Sequence, residues 1–146
     1  MNNTVEVRPA LAADCDAVYL LICELNQKAP DPVAFRRGYL ANLATQGLYY
    51  RLAVRGEEVL GLISLHLLFH LHHARWVGDI QELVIMPHAR GAGVGKRLLD
   101  WAEHQARQVD AELLELSSSK PRVDAHRFYR REGFLENHIR FTKPLN

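Results

Sequence analysis

Between Glu82 and Lys96 the chain reads ELVIMPHARGAGVGK, and no other stretch limits the possible folds as tightly. A short apolar run turns at Pro87, and glycines follow at 91, 93 and 95. Behind them Val94, Leu98, Trp101, Ala102 and Gln105 fall along one flank of a helical pattern. This order predicts a strand, a glycine loop and a helix over Val94 to Gln108. Glycine tolerates positive φ and has no Cβ to hold a ligand away, so such a loop presents consecutive backbone N–H groups. The helix adds about half a positive charge at its N-terminus, and the stretch is therefore a candidate phosphate cradle.

Two familiar nucleotide loops do not fit these letters. G-x-x-x-x-G-K-[ST] would need glycine at Arg90 and a hydroxyl at Arg97; G-x-G-x-x-G would need glycine at Lys96 or at Leu98. What remains is R-G-x-G-x-G-K at Arg90 to Lys96, directly after E-L-V-I-x-P. A second string, AHRFYRREGF from Ala125 to Phe134, has the form A-x-x-F-Y-x-x-x-G-F. The two motifs in this order resemble the paired signatures of the GNAT superfamily of acyl-CoA N-acyltransferases.

The rest of the chain is read independently of that likeness. At 146 residues it is most simply a single domain, 1–146, long enough to bury its own core. A net charge of +1 gives no global field for nucleic acid or an anionic membrane, so any positive site must be local. No basic-then-apolar leader opens the sequence and no apolar run reaches the ~18 residues of a membrane span, so a cytoplasmic location is expected. Cys15 and Cys23, eight residues apart in one helical pattern, are separated by about 12 Å along the axis, which predicts free thiols.

Strands are expected at Thr4 to Arg8, Tyr49 to Arg55, Val59 to Leu71, Trp76 to Met86 and Glu112 to Leu116, with one or two closing strands in Leu135 to Lys143. Helices are expected after Asp14, with apolar Val18, Leu21, Ile22 and Leu25, then at Val33 to Leu43, Val94 to Gln108 and Val123 to Arg131. A meander that then connects through helices predicts an α/β fold: a mixed sheet with helices on both faces.

The resemblance implies more: a sheet that splays apart and admits the pantetheine arm of acetyl-CoA. By it, the backbone of Leu83, Val84 and Ile85 meets the acetyl carbonyl and the pantetheine amides. The N–H groups of Arg90, Gly91, Ala92, Gly93, Val94, Gly95 and Lys96 take the pyrophosphate. Glu82 occupies the position of a general base and Tyr129 that of the acid for the departing thiolate. Neither motif contains cysteine, so direct transfer in a ternary complex is expected. Plainer roles stand beside these: Glu82 as a strand-end carboxylate in a surface pair, and Phe128, Tyr129 and Phe134 as core aromatics.

Leu65 to Trp76, LHLLFHLHHARW, carries His66, His70, His72 and His73. On an extended strand His66, His70 and His72 share a face, yet His66 and His72 lie about 20 Å apart, too far for one ion. His70 and His72, about 7 Å apart, are candidate ligands of a divalent metal, joined by Asp79 or Glu82 from the next strand.

Below superfamily level, VYLLICELN, AFRRGY, LHLLFHLHHARWVGDIQELVIMP and FTKPL are similar to acetyltransferases that act on aminoalkylphosphonates. That likeness implies a small aminophosphonate as acceptor. Arg122 stands where many superfamily members carry an asparagine contacting CoA; with Arg75 it is a candidate for holding an anion. Another small amine or a peptide N-terminus as acceptor, and a non-catalytic acyl-CoA binding module, are the alternatives. The alternating C-terminal segment leads us to expect a homodimer.

Overall fold

Alternation between apolar and polar residues carries the strands of the meander into one sheet. The computed structural model describes residues 4–146. In chain order the elements are β1 (Glu6–Pro9), α1 (Cys15–Asn26), α2 (Pro32–Leu43), β2 (Leu48–Arg55), β3 (Glu58–His70), β4 (Arg75–Ile85), α3 (Val94–Gln108), β5 (Leu114–Leu116) and α4 (Val123–Arg131). The strands lie in sequential order. β1 to β4 pair antiparallel and β5 joins β4 in parallel, as expected when α3 forms the crossover.

Each face of the sheet has its own core. Leu52, Val54, Leu62 and Val84 pack with Val18 and Leu21 of α1 and Tyr39 of α2. Their neighbours Ala53, Ile63, Leu65, Ile80 and Leu83 pack with Val94, Leu98, Leu99 and Ala102 of α3, and Phe128 and Tyr129 of α4 lie against that cluster. Leu52, Leu62, Ile63, Leu65 and Leu98 are fully out of solvent, and each contributes about 1.5–3 kcal/mol by leaving water. The ends are secured locally. Pro32 opens α2 behind Asp31, whose carboxylate accepts from Ala34 N–H at 2.8 Å. Asp14 accepts two bonds from the Arg8 guanidinium, at 2.8 and 2.9 Å, which ties β1 to the start of α1.

The sequence reading places the helices and the meander to within a few residues, and Cys15 and Cys23 are free thiols. It is wrong about the C-terminus. Leu135 to Lys143 forms no strand, and Leu135, Ile139 and Phe141 are 81%, 81% and 89% exposed. An extended segment is stable only when a ladder accepts it, and β5, the last strand, pairs over just three residues with β4. No helix among the described residues is long and apolar enough to cross a membrane.

Candidate active site

β4 organises the site because its two edges are treated differently. Along one edge it pairs with β3 over its whole length, from His70↔Arg75 to Gly61↔Ile85. Along the other it pairs with β5 only at Gly78, Asp79 and Ile80. Beyond Ile80 the two strands part, so the backbone of Gln81 to Ile85 has no strand beside it on that edge. Along this edge Glu82 and Met86 turn their N–H groups toward β3, and Val84, two residues from each, does the same. This leaves the groups of Leu83 and the N–H of Ile85 on the open side, where an extended, amide-bearing molecule can pair with them.

A cleft of 190 Å³ opens in this gap. Ile80, Gln81 and Leu83 form one wall, Leu116 to Ser119 the other, with Leu25 and Asn26 from α1 and Arg122 and Tyr129 from the α4 region at its two ends. The gap therefore connects the two faces of the sheet. Burial pushes the Tyr129 hydroxyl above the ordinary tyrosine range, and the Arg122 charge draws it part-way back. Tyr129 thus carries its proton at neutral pH. Ser118 Oγ is buried without a hydrogen-bond partner.

Glu82 lies on the α1/α2 face. The β3–β4 register shifts between Ser64 and Leu65, so that Ser64 opposes Glu82 while Leu65 opposes Ile80, with Gln81 as the extra residue. This bulge puts Asp79 and Glu82, three residues apart, on the same face, opposite His66 and Ser64. Ser64, fully buried, donates its hydroxyl to Glu82 Oε1 at 2.5 Å and accepts the Glu82 N–H at 2.9 Å. The Glu82 carboxylate in turn helps raise the neighbouring Tyr50 hydroxyl, after burial, which is the larger cause. His66 Nε2, on the same face, is buried without a partner.

The glycine loop departs from its uniform sequence appearance. Gly91 and Gly93 adopt φ of 80° and 79°, the left-handed region, with open space where a Cβ would stand. Gly95 is already inside α3, and a Cβ there would meet the Phe128 ring at 3.2 Å. Its role is close packing of α3 on α4, which joins the two sequence motifs physically. Gly93 caps α3 with no side-chain hydrogen bond, so the first N–H groups of the helix point outward unpaired by any earlier turn. The side chains of Arg90 and Lys96 are engaged elsewhere: Arg90 donates to Ile85 O at 3.0 Å and Glu24 at 3.1 Å, and Lys96 meets Glu132 at 3.2 Å. Both cations thus have partners within the fold, while the loop backbone around Gly91 and Gly93 stands open.

The histidines are redistributed. β3 stops at His70 and the chain turns through residues 71–74, so His72 is not on the strand and His66 is far from it. Neither Asp79 nor Glu82 joins His70 and His72, since those carboxylates oppose His66 and Ser64. His73, which the strand-face argument leaves out, joins His70 and His72 instead. Ser64 also escaped notice, although one small polar residue inside the apolar run LGLISL is a signal of a buried partner.

The acetyltransferase (GNAT) family profile matches residues 13–134. The chain belongs to this family. Its fold is shared with a Bacillus halodurans C-125 protein described as a transcriptional regulator, at a TM-score of 0.90 and 24% identity, covering 97% of this chain and 100% of that one. It is shared as well with an aminoglycoside N-acetyltransferase solved in complex with CoA, at a TM-score of 0.87 and 14% identity over 99% and 97% of the two chains. Among curated proteins, the aminoalkylphosphonate N-acetyltransferase of Salmonella typhimurium is 56% identical over 140 residues, 96% of this chain and 91% of that protein. As a GNAT acetyltransferase, this enzyme uses acetyl-CoA as its acyl donor.

Proposed function

We propose that this GNAT enzyme acetylates the amino group of small aminoalkylphosphonates, by direct transfer from acetyl-CoA in a ternary complex. The observation that carries this reading is the 56% identity, over almost the full length of both chains, to the Salmonella aminoalkylphosphonate N-acetyltransferase. The geometry is consistent with it. The N–H groups of the Gly91–Lys96 loop and the N-terminus of α3 hold the pyrophosphate. The open edge of Leu83 to Ile85 pairs with pantetheine, which runs through the gap between β4 and β5.

An alkylammonium with a pKa near ~10 has no lone pair at neutral pH, so a base must first take its proton. Glu82, oriented by Ser64, is that base in our reading, and His66 is able to pass the proton onward. The amine nitrogen then attacks the acetyl carbonyl, whose oxygen collects negative charge against β4 backbone N–H groups. The C–S bond breaks, the CoA thiolate takes a proton from Tyr129, and the nitrogen, positively charged after attack, gives up its second proton to water in the cleft, which restores the tyrosine. With a thiol pKa near ~8.5 the leaving group needs only modest help, so Tyr129 contributes less than Glu82. Tyr129 lines the cleft and Glu82 stands beside it on the other face of the sheet, next to the lining residues Gln81 and Leu83; in our reading the substrate spans the gap beyond Ile80 to reach both.

Arg122 and Ser118, both lining the cleft, supply a cation and an unpartnered hydroxyl to the phosphonate. The exposed apolar side chains of 135–145 are the surface on which we would build a homodimer. The test of the function is a panel of amines with acetyl-CoA. Aminomethylphosphonate is expected to exceed its carboxylate analogue glycine in kcat/KM by about 100-fold or more, since polar groups left unpaired reject the wrong ligand strongly. Equal values for the two would refute the phosphonate reading while leaving an acetyltransferase.

A further inference from the structure

The sheet opens a second time, at β2, in a place that the acetyl transfer does not use. β1 stays beside β2 only as far as Pro9↔Arg51 and the bond from Ala10 N–H to Tyr50 O. Leu48 and Tyr49 therefore pair with β3 on one edge and have no strand on the other. The turn after α2 covers this gap incompletely. A cavity of 430 Å³ remains, walled by residues 43–51 with Pro9 and Ala10, and its size suits a small molecule. It shares no lining residue with the cleft beside β4, and none of its lining residues is acidic.

Arg51 sets the chemistry of this cavity. Three arginines of the described residues are half-buried: Arg8, Arg51 and Arg55. Arg8 meets Asp14 at 2.8 Å and Arg55 meets Glu58 at 2.9 Å. Arg51 has no carboxylate and donates to Tyr50 O alone, at 3.1 Å. Its guanidinium carbon lies 4.7 Å from the Trp101 ring centroid and 5.8 Å from that of Tyr49. The rings thus hold the plane of the guanidinium, while most of the N–H donors along its edge are unspent. Burial pulls Arg51 below the ordinary arginine range and Tyr49 draws it part-way back, yet an arginine stays charged at neutral pH. A cation withdrawn from water is ordinarily paired, because its lost hydration must be replaced. The last carbonyls of α2 do not replace it, since they are taken within their own turn. Ala41 O accepts from Ala44 N–H and the Thr45 hydroxyl, and Asn42 O accepts from Thr45 N–H.

We infer that this cavity binds a small organic monocarboxylate, whose two oxygens take the free edge of the Arg51 guanidinium and whose apolar body lies against Pro9, Leu43 and Leu48. The planar fork of arginine matches a carboxylate, and one cation balances one negative charge. A phosphate or phosphonate dianion would keep an uncompensated charge beside apolar walls, which disfavours it here. The site is separate from the acetyl-transfer centre, and its ligand does not depend on which amine the enzyme acetylates.

The experiment titrates the full chain with benzoate as probe, followed by calorimetry and by the fluorescence of Trp101, whose ring lies over Arg51. One equivalent is expected to bind, with a Kd on the order of 1 mM or below. Benzamide, of the same shape but neutral, should bind about tenfold more weakly or worse, because the charge-assisted pair is lost. Inorganic phosphate should also bind more weakly than benzoate. Arg51→Met removes the charge and keeps an apolar stem, and should weaken benzoate by about tenfold or more. The melting temperature of the free variant should hold or rise, because no carboxylate loses a partner. Arg51→Lys keeps the charge without the fork and should fall between the two proteins in affinity. Saturating CoA should change the benzoate Kd by less than about twofold, as expected of separate sites. Absence of binding by both methods, equal binding of benzamide, full affinity in both Arg51 variants, or displacement by CoA would overturn the site. Tighter binding of phosphate than of benzoate would overturn the carboxylate class.

Discussion

Removing one hydroxyl, at Ser64, should damage both the sheet and the reaction. Ser64 Oγ donates to the Glu82 carboxylate and accepts the Glu82 N–H, at the bulge where the β3–β4 register shifts. A hydrogen bond to an ionised group contributes about 1.5–3 kcal/mol, and a buried N–H left unsatisfied costs about 1–3 kcal/mol. Glu82 is only partly buried and its carboxylate can turn to water, so the lower part of the combined range applies, and Ser64→Ala should cost about 2.5–4 kcal/mol. Against a total stability of ~5–15 kcal/mol this leaves a folded protein. Urea unfolding, followed by Trp101 fluorescence, measures the loss. A Ser64→Ala/Glu82→Ala double-mutant cycle isolates the pair, with an expected coupling of about 1.5–3 kcal/mol. Freed from its partner, Glu82 no longer holds one geometry, and kcat should fall about tenfold or more while the KM for acetyl-CoA stays unchanged. A coupling under about 0.5 kcal/mol together with normal turnover would refute the argument, because the contact would then neither bind the strands nor aim the base.

Two further expectations rest on separate parts of the molecule. Gly93→Ala forces a side chain into φ of 79° at the cap of α3, whereas Gly56→Ala does so at φ of 60° in the β2–β3 turn; in both places the Cβ meets nothing. Each should lose about 1–2 kcal/mol, but only Gly93→Ala should raise the KM for acetyl-CoA, and equal KM values in steady-state assays would remove the loop from pyrophosphate binding. Tyr39, 5% exposed and donating to Leu11 O at 2.7 Å, is pushed up by burial, and then by the charge of Asp14, to about 12. Because the folded value is the higher one, about 2–3 kcal/mol of stability is whole below pH ~10 and is lost as pH rises toward 12. Tyr39→Phe should flatten that alkaline decline in urea midpoints, and parallel curves for the two proteins would contradict it.

The elements that could be read from the sequence are those whose cause is local. α3 shows an apolar stripe and a glycine cap, the meander shows alternation and a tight turn at Gly56, and α4 has the same bounds in the sequence reading as in the fold. The C-terminal segment alternates too, yet it forms no strand, because alternation shows which face a strand would bury and not whether a ladder exists to receive it. The two motifs likewise named Glu82, Tyr129 and the loop, since residue type at fixed spacing survives in one dimension.

Tertiary structure decided what depends on register and on chain reversal. The bulge at Gln81 chose the face of Glu82 and its partner Ser64, a choice invisible locally because a slip of one residue exchanges the faces. The end of β3 at His70 separated His66 from its neighbours and brought in His73, and it placed all three turn imidazoles far from the site their spacing had suggested. Gly95, third in an apparently uniform series, proved to be a packing residue against Phe128. What the chain by itself determined was the set of chemical groups and the strand, loop and helix that carry them. Which of those groups meet was settled by the sheet, because contacts between distant residues are set by pairing and packing across the fold and leave no periodicity along the chain.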